Sequence, residues 1–184
     1  MEFILADLLL PEVSQLMLHP GWLVGFKVES QGSNFSAQLS QKEVESLLDK
    51  NELVLHDLRK VAKRTRYNME LFSQFYSENY ETYLKDIKNI QTILGDIQDS
   101  FVLCEFPNNI FDKNILNKMP AFSNILQENR YHKWQEWEGL QQKFFNSEIR
   151  KNFHLTILDP SIIQSSPQES DKGIEEIVST NVSD

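Results

Sequence analysis

The sequence predicts an all-α protein, an antiparallel helical bundle with an acidic C-terminal tail. Three observations carry the prediction. Only six Gly and six Pro occur in 184 residues, too few to turn the chain between the many short strands of a sandwich or barrel. Residues 52–76 contain neither, and apolar side chains recur every three or four positions along the longest runs. A hydrophobic content of 40%, with 11% aromatic, is enough to build a core, and the length suits one domain, expected over residues 1–158.

Residues 2–18 are apolar at near-helical spacing, broken around Pro11 and stopped by His19, Pro20 and Gly21. Glu2, Asp7, Pro11 and Glu12 interrupt this stretch and no basic segment precedes it. It falls short of the roughly 20 apolar residues a membrane span needs, so a core helix is expected, and no membrane partner. Trp22 to Ala37 holds Gly25, Ser30, Gly32, Ser33 and Asn34 without a sustained period, which predicts a loop with at most a little extended structure. Ser40 and Glu43 have the spacing of a capping box and predict a short helix over 41–50. A long helix is expected from Glu52 to about Tyr76, then a polar break at Ser77, Glu78 and Asn79. From Tyr80 to Phe106, Leu84, Ile87, Ile90, Leu94, Ile97 and Phe101 form one buried stripe; Gly95 inside it predicts close helix packing, and Pro107 is expected to end the helix. Short helical pieces are expected through Pro120, followed by a helix over about 121–152 that carries Leu126, Trp134, Trp137, Leu140, Phe144 and Phe145. Residues 159–184 hold two Pro, six Ser and no aromatic residue, a composition that predicts a disordered tail.

The formal net charge of −9 argues at first against an anionic partner, but the charge is unevenly spread. The tail contributes −5, residues 1–55 another −5, and residues 68–158 contribute −3. Residues 56–67 carry +4. At 100° per residue, Leu58, Val61, Ala62, Thr65, Met69 and Phe72 fall on one side of this helix; His56, Arg59, Lys60, Lys63, Arg64, Arg66 and Tyr67 fall on the other. Like charges at i, i+4 cost a few tenths of a kcal/mol each, and the stripe shows few acids of its own. A phosphate-rich polyanion would offset that cost through charge-assisted hydrogen bonds spaced one turn apart. The alternative is a solvated face that keeps the helix soluble.

The string His56-x-x-Arg59-x-x-x-Lys63-Arg64-x-Arg66-Tyr67, followed on the next helix by Gln91-x-x-Leu94-Gly95-x-x-x-Asp99, resembles one repeat of a CHAD domain, the conserved histidine α-helical domain. The resemblance implies an all-helical fold of two similar bundles and binding of inorganic polyphosphate on basic surfaces. It implies that His56, Arg59, Lys63, Arg64, Arg66 and Tyr67 face the phosphates, with Lys85 and Lys88 of the next helix as further candidates. A complete domain would have two His-x-x-Arg helices, and His19, His132 and His154 lack the basic continuation. The likeness is therefore expected to span about 1–155 as the C-terminal half of a domain, with a homodimer or a separate N-terminal half completing it. The Glu-x-Glu-x-Lys strand of the triphosphate-tunnel enzymes that accompany many such domains is not found: Glu43-x-Glu45 runs into Ser46 and Leu47, and Glu136-x-Glu138 into Gly139 and Leu140.

Other constellations have structural readings. Of Asp96 and Asp99, beside Gly95, one is expected to position a basic side chain of the preceding helix, with acid/base or metal chemistry as the alternative. Glu128, His132 and Glu136 share a helix face and are read as a salt-bridged surface, not a metal site. Trp22, Trp134 and Trp137 are expected as core anchors. The lone Cys104 excludes an internal disulfide, fits a reducing compartment and is expected in the core. The expectation is a non-enzymatic polyphosphate-binding module without cofactor or metal, cytoplasmic and located at polyphosphate granules, with nucleic-acid binding by the same face kept as a third and weaker reading. The alternative is a structural or protein-interaction module whose basic face docks an acidic partner.

Overall fold

A computed structural model describes residues 2–29, 32–35, 39–110 and 119–160. The element order is α1 (Glu2–Met17), a 3-10 turn (Pro20–Leu23), β1 (Phe26–Glu29), β2 (Gly32–Phe35), α2 (Gln41–Phe72), a 3-10 turn (Ser73–Phe75), α3 (Glu78–Ile110), α4 (Pro120–Phe145) and α5 (Ser147–Leu158). The all-α class holds, with one small addition. Strands β1 and β2 pair antiparallel from Phe26 opposite Phe35 to Glu29 opposite Gly32, within the segment expected to be mostly loop. Phe26 anchors the hairpin by stacking on Phe145 of α4 at 5.0 Å.

Helix α2 is one element of 32 residues, where a short and a long helix were expected. Leu48 and Leu55 are both buried, so the apolar stripe runs through the anticipated junction. Asn51 donates its side-chain amide to the Leu47 carbonyl at 2.8 Å, one turn back, and so does not divert the backbone. The capping box forms as predicted, the Ser40 N–H donating to Glu43 Oε2 at 2.8 Å. Helix α1 continues through Pro11, and α3 through Pro107 to Ile110. A proline removes one backbone donor and crowds the carbonyl four residues back. In α1 the buried Leu9, Val13 and Leu16 that flank Pro11 hold the helix together. The predicted helix over 121–152 is two, because the Asn146 side chain accepts from the Glu148 and Ile149 N–H groups and starts a new helix at Ser147. The expected pieces over 111–118 and the tail from 161 lie outside the described residues.

Helices α2 and α3 run antiparallel, tied by Gln98 to Glu52 at 2.9 Å near one end and by Tyr80 Oη to the Met69 carbonyl at 2.8 Å near the other. The core between them, α1, α4 and α5 contains Leu9, Leu58, Met69, Ile87, Ile90 and Phe153. Trp22, Trp134 and Trp137 are buried in it as expected, Trp22 stacking on Trp137 at 5.0 Å. Gly25 has φ +80°, and a Cβ there would stand 2.7 Å from Trp134 Cζ2, so only glycine carries the chain past this indole. Among the described residues no helix is long and apolar enough to cross a membrane.

Candidate functional site

Along α2, His56, Arg59, Lys63 and Arg66 fall within one sector of about 80°. Along α3, Lys88, Gln91, Gly95 and Asp99 fall within another of about the same width. The two sectors adjoin, because Arg59 lies across Gly95: a Cβ added to Gly95 would meet Arg59 Nε at 3.1 Å and Nη2 at 3.5 Å. The antiparallel register then sets Lys85 and Lys88 across from Lys63 and Arg66. The result is a cationic groove along the α2–α3 junction, about 15 Å from His56 to Arg66 at the α-helical rise.

Within this groove the polar groups are poorly satisfied. His56 Nδ1, Arg59 Nε, Arg66 Nε and Gln91 Oε1 are buried and have no hydrogen-bond partner. Buried polar atoms are almost always paired; of the six such atoms without a partner among the described residues, four lie along this junction and the other two are the Trp134 and Trp137 indole nitrogens of the core. Arg66 stands 3.6 Å from Glu70, beyond hydrogen-bond range, and lies over the Tyr67 ring at 4.5 Å. Lys63 approaches the same ring at 5.8 Å. Lys63, Lys85 and Lys88 are exposed and make no ion pair with any described residue. Tyr67 is half exposed beside them.

Lys60 and Arg64 are placed differently. Lys60 pairs with Asp57 at 2.8 Å, and Asp57 in turn meets His19 at 3.1 Å. The Lys60 hydrogen bond first, then that of His19, then the Lys60 charge hold the Asp57 carboxyl down at about 2. Arg64 reaches back to α1, donating to Glu12 at 2.7 Å and to the Gln15 side chain. The stripe is thus better supplied with acids than its own sequence suggests, through Glu12 of α1 as well as Asp57 and Glu70. The seven-residue face predicted from the sequence divides into an open groove and an outer pair of cations already occupied within the fold.

Several other expectations are corrected. Asp96 holds no base of α2; it pairs with Lys133 of α4 at 3.2 Å, because its position turns it away from the groove. Asp99 is exposed. Cys104 is not in the core but at its rim, where Arg130 donates to its Sγ at 3.4 Å. Glu136 pairs with Lys133 at 3.1 Å, and among the described residues no group of three potential metal ligands assembles. A cleft of about 470 Å³ lined by Ser77, Tyr83, Lys143 and Asn152 lies outside the groove. Gln91 entered the sequence reading only as the first residue of the motif on the second helix, not as a phosphate-facing residue.

A helical bundle in which a His-x-x-Arg helix packs against a Leu-Gly helix, their basic residues meeting in one groove, defines the class of protein. The CHAD domain family model matches residues 2–106, more than half of the chain, and the chain belongs to that family. The match takes in α1, the hairpin, α2 and most of α3, the N-terminal part of the chain. This corrects the expectation that the likeness extends over 1–155 as the C-terminal half of a domain: α4 and α5 lie beyond the match. Neither a curated protein nor a solved structure matches the chain significantly.

Proposed function

We propose that the α2–α3 groove binds inorganic polyphosphate without chemical turnover. The observation that carries the reading is the set of cations at the groove, Arg59, Lys63, Arg66, Lys85 and Lys88: the three lysines are exposed and make no ion pair with any described residue, Arg59 Nε has no hydrogen-bond partner, and Arg66 has only a 3.6 Å ion pair with Glu70. An extended chain of phosphates brings successive oxyanions past side chains one helical turn apart, and each contact is a charge-assisted hydrogen bond. Guanidinium groups at two of these positions favour paired contacts to one phosphate, while the lysines act as point charges. His56 adds a donor at one end and Tyr67 another at the outer edge. The family membership supports the same reading, since CHAD domains are known for polyphosphate association. The cytoplasm and its polyphosphate granules are the matching location.

The test is titration of long-chain polyphosphate against the wild type and an Arg59→Ala/Lys63→Ala/Arg66→Ala variant. Loss of three groove cations is expected to weaken binding at least a hundredfold, at roughly 1.5–3 kcal/mol per charged contact. Equal binding by the two proteins overturns the proposal.

A further inference from the structure

Resting on the polyphosphate reading, we infer that Gln91 is a ligand-contacting residue, donating its side-chain amide to a phosphate oxygen held by Arg59 and His56 where Arg59 crosses Gly95. Gln91 lies one turn from Gly95 on the α3 face that meets α2. Its Oε1 is the buried, unpartnered end of the amide, and Gln91 makes no hydrogen bond to any described residue. A buried amide oxygen without a donor costs about 1–3 kcal/mol. Such a cost is tolerated where the group has another use, and here the amide belongs to a junction lined with cations.

The neighbouring groups are of the kinds that bind an oxyanion. Arg59 is laid across Gly95, its Nε 3.1 Å from where a Cβ would stand, so a methyl group there would push the guanidinium aside by a few tenths of an ångström. His56, one turn along α2 from Arg59, contributes an imidazole whose Nδ1 also lacks a partner. A tetrahedral phosphate group presents several oxygens at once, and a guanidinium, an imidazole and a primary amide satisfy them from different sides. The lysines further along the groove are exposed and supply charge. The α2–α3 crossing is therefore the point where a phosphate is gripped, and Gly95 is a positioning residue for Arg59.

Tripolyphosphate, titrated by calorimetry alongside thermal melts, separates this inference from the reading beneath it. Gln91→Leu should weaken tripolyphosphate binding about tenfold, the value of one hydrogen bond to a charged group. It should leave the melting temperature unchanged or raise it, because the orphaned acceptor is gone. Gln91→Glu should weaken binding further by placing a negative charge beside the phosphate. Gly95→Ala should also weaken binding, through displacement of Arg59. If wild type binds tripolyphosphate and Arg59→Ala abolishes binding while Gln91→Leu and Gln91→Glu bind like wild type, the inference is overturned and the polyphosphate reading stands. If wild type binds neither tripolyphosphate nor long-chain polyphosphate, the reading itself fails and takes the inference with it. A lower melting temperature in Gln91→Leu with unchanged affinity assigns Gln91 to packing alone and overturns the inference.

Discussion

Arg59 and Arg64 sit on the same helix in opposite circumstances. Arg64 is held by Glu12 and Gln15 of α1, whereas Arg59 lies over a glycine with its Nε buried and unpartnered. Both read as the same basic stripe in sequence, because a partner some fifty residues away leaves no trace in local spacing. What was legible was the placement of His56 and Arg59 one turn apart. Asp57 shows a second residue-scale effect. Its carboxyl is lowered from 3.8 to about 2, chiefly by the Lys60 hydrogen bond and then by His19. A carboxylate whose folded value lies below its unfolded one adds stability above the unfolded value and loses it as pH falls toward the folded value. The difference in melting temperature between wild type and Asp57→Asn is therefore expected to be steady near about pH 5 and to shrink between about pH 4 and pH 2. A difference that does not change across that range contradicts the assignment.

The helices were legible wherever an apolar stripe persisted, as in α3, where Ile87, Ile90, Leu94 and Ile97 are all buried as expected. Boundaries were legible only where a cap is local. The Ser40–Glu43 box was found, but Asn146, which divides α4 from α5, looks like any other polar residue until its side chain is seen accepting two N–H groups. The tie between α4 and α2 was also hidden. Arg130, 4% exposed, donates to Glu45 through Nε at 2.9 Å and through Nη2 at 2.8 Å, and packs over Phe101 at 4.7 Å. Burial opposes its charge, yet the hydrogen bonds to Glu45 and Cys104 more than offset this and raise its pKa. Removing one member of a buried pair strands the other at about 3–5 kcal/mol, and with Glu45 20% exposed the low end of that range applies here. Arg130→Met is expected to lower the stability measured by urea denaturation by that amount, and Glu45→Leu/Arg130→Met to recover most of it. A single variant as stable as wild type would show that the pair contributes nothing to docking α4 on α2.

For the whole molecule, the net charge of −9 describes solubility, and its distribution describes recognition. An acidic protein that gathers cations in one groove presents a local field opposite in sign to its own total, and salt should weaken polyanion binding steeply. Net charge alone would make every lysine and arginine on α2 equivalent. The fold makes them unequal, since Lys60 and Arg64 are matched by Asp57, Glu12 and Gln15 while Arg59 and Lys63 are left to the groove. The most direct measurement compares two double variants that remove the same charge from the same helix, Arg59→Ala/Lys63→Ala and Lys60→Ala/Arg64→Ala, titrated with long-chain polyphosphate at one salt concentration. The groove pair is expected to lose at least tenfold more affinity than the outer pair. Equal losses would contradict a groove-specific site and reduce the interaction to overall charge.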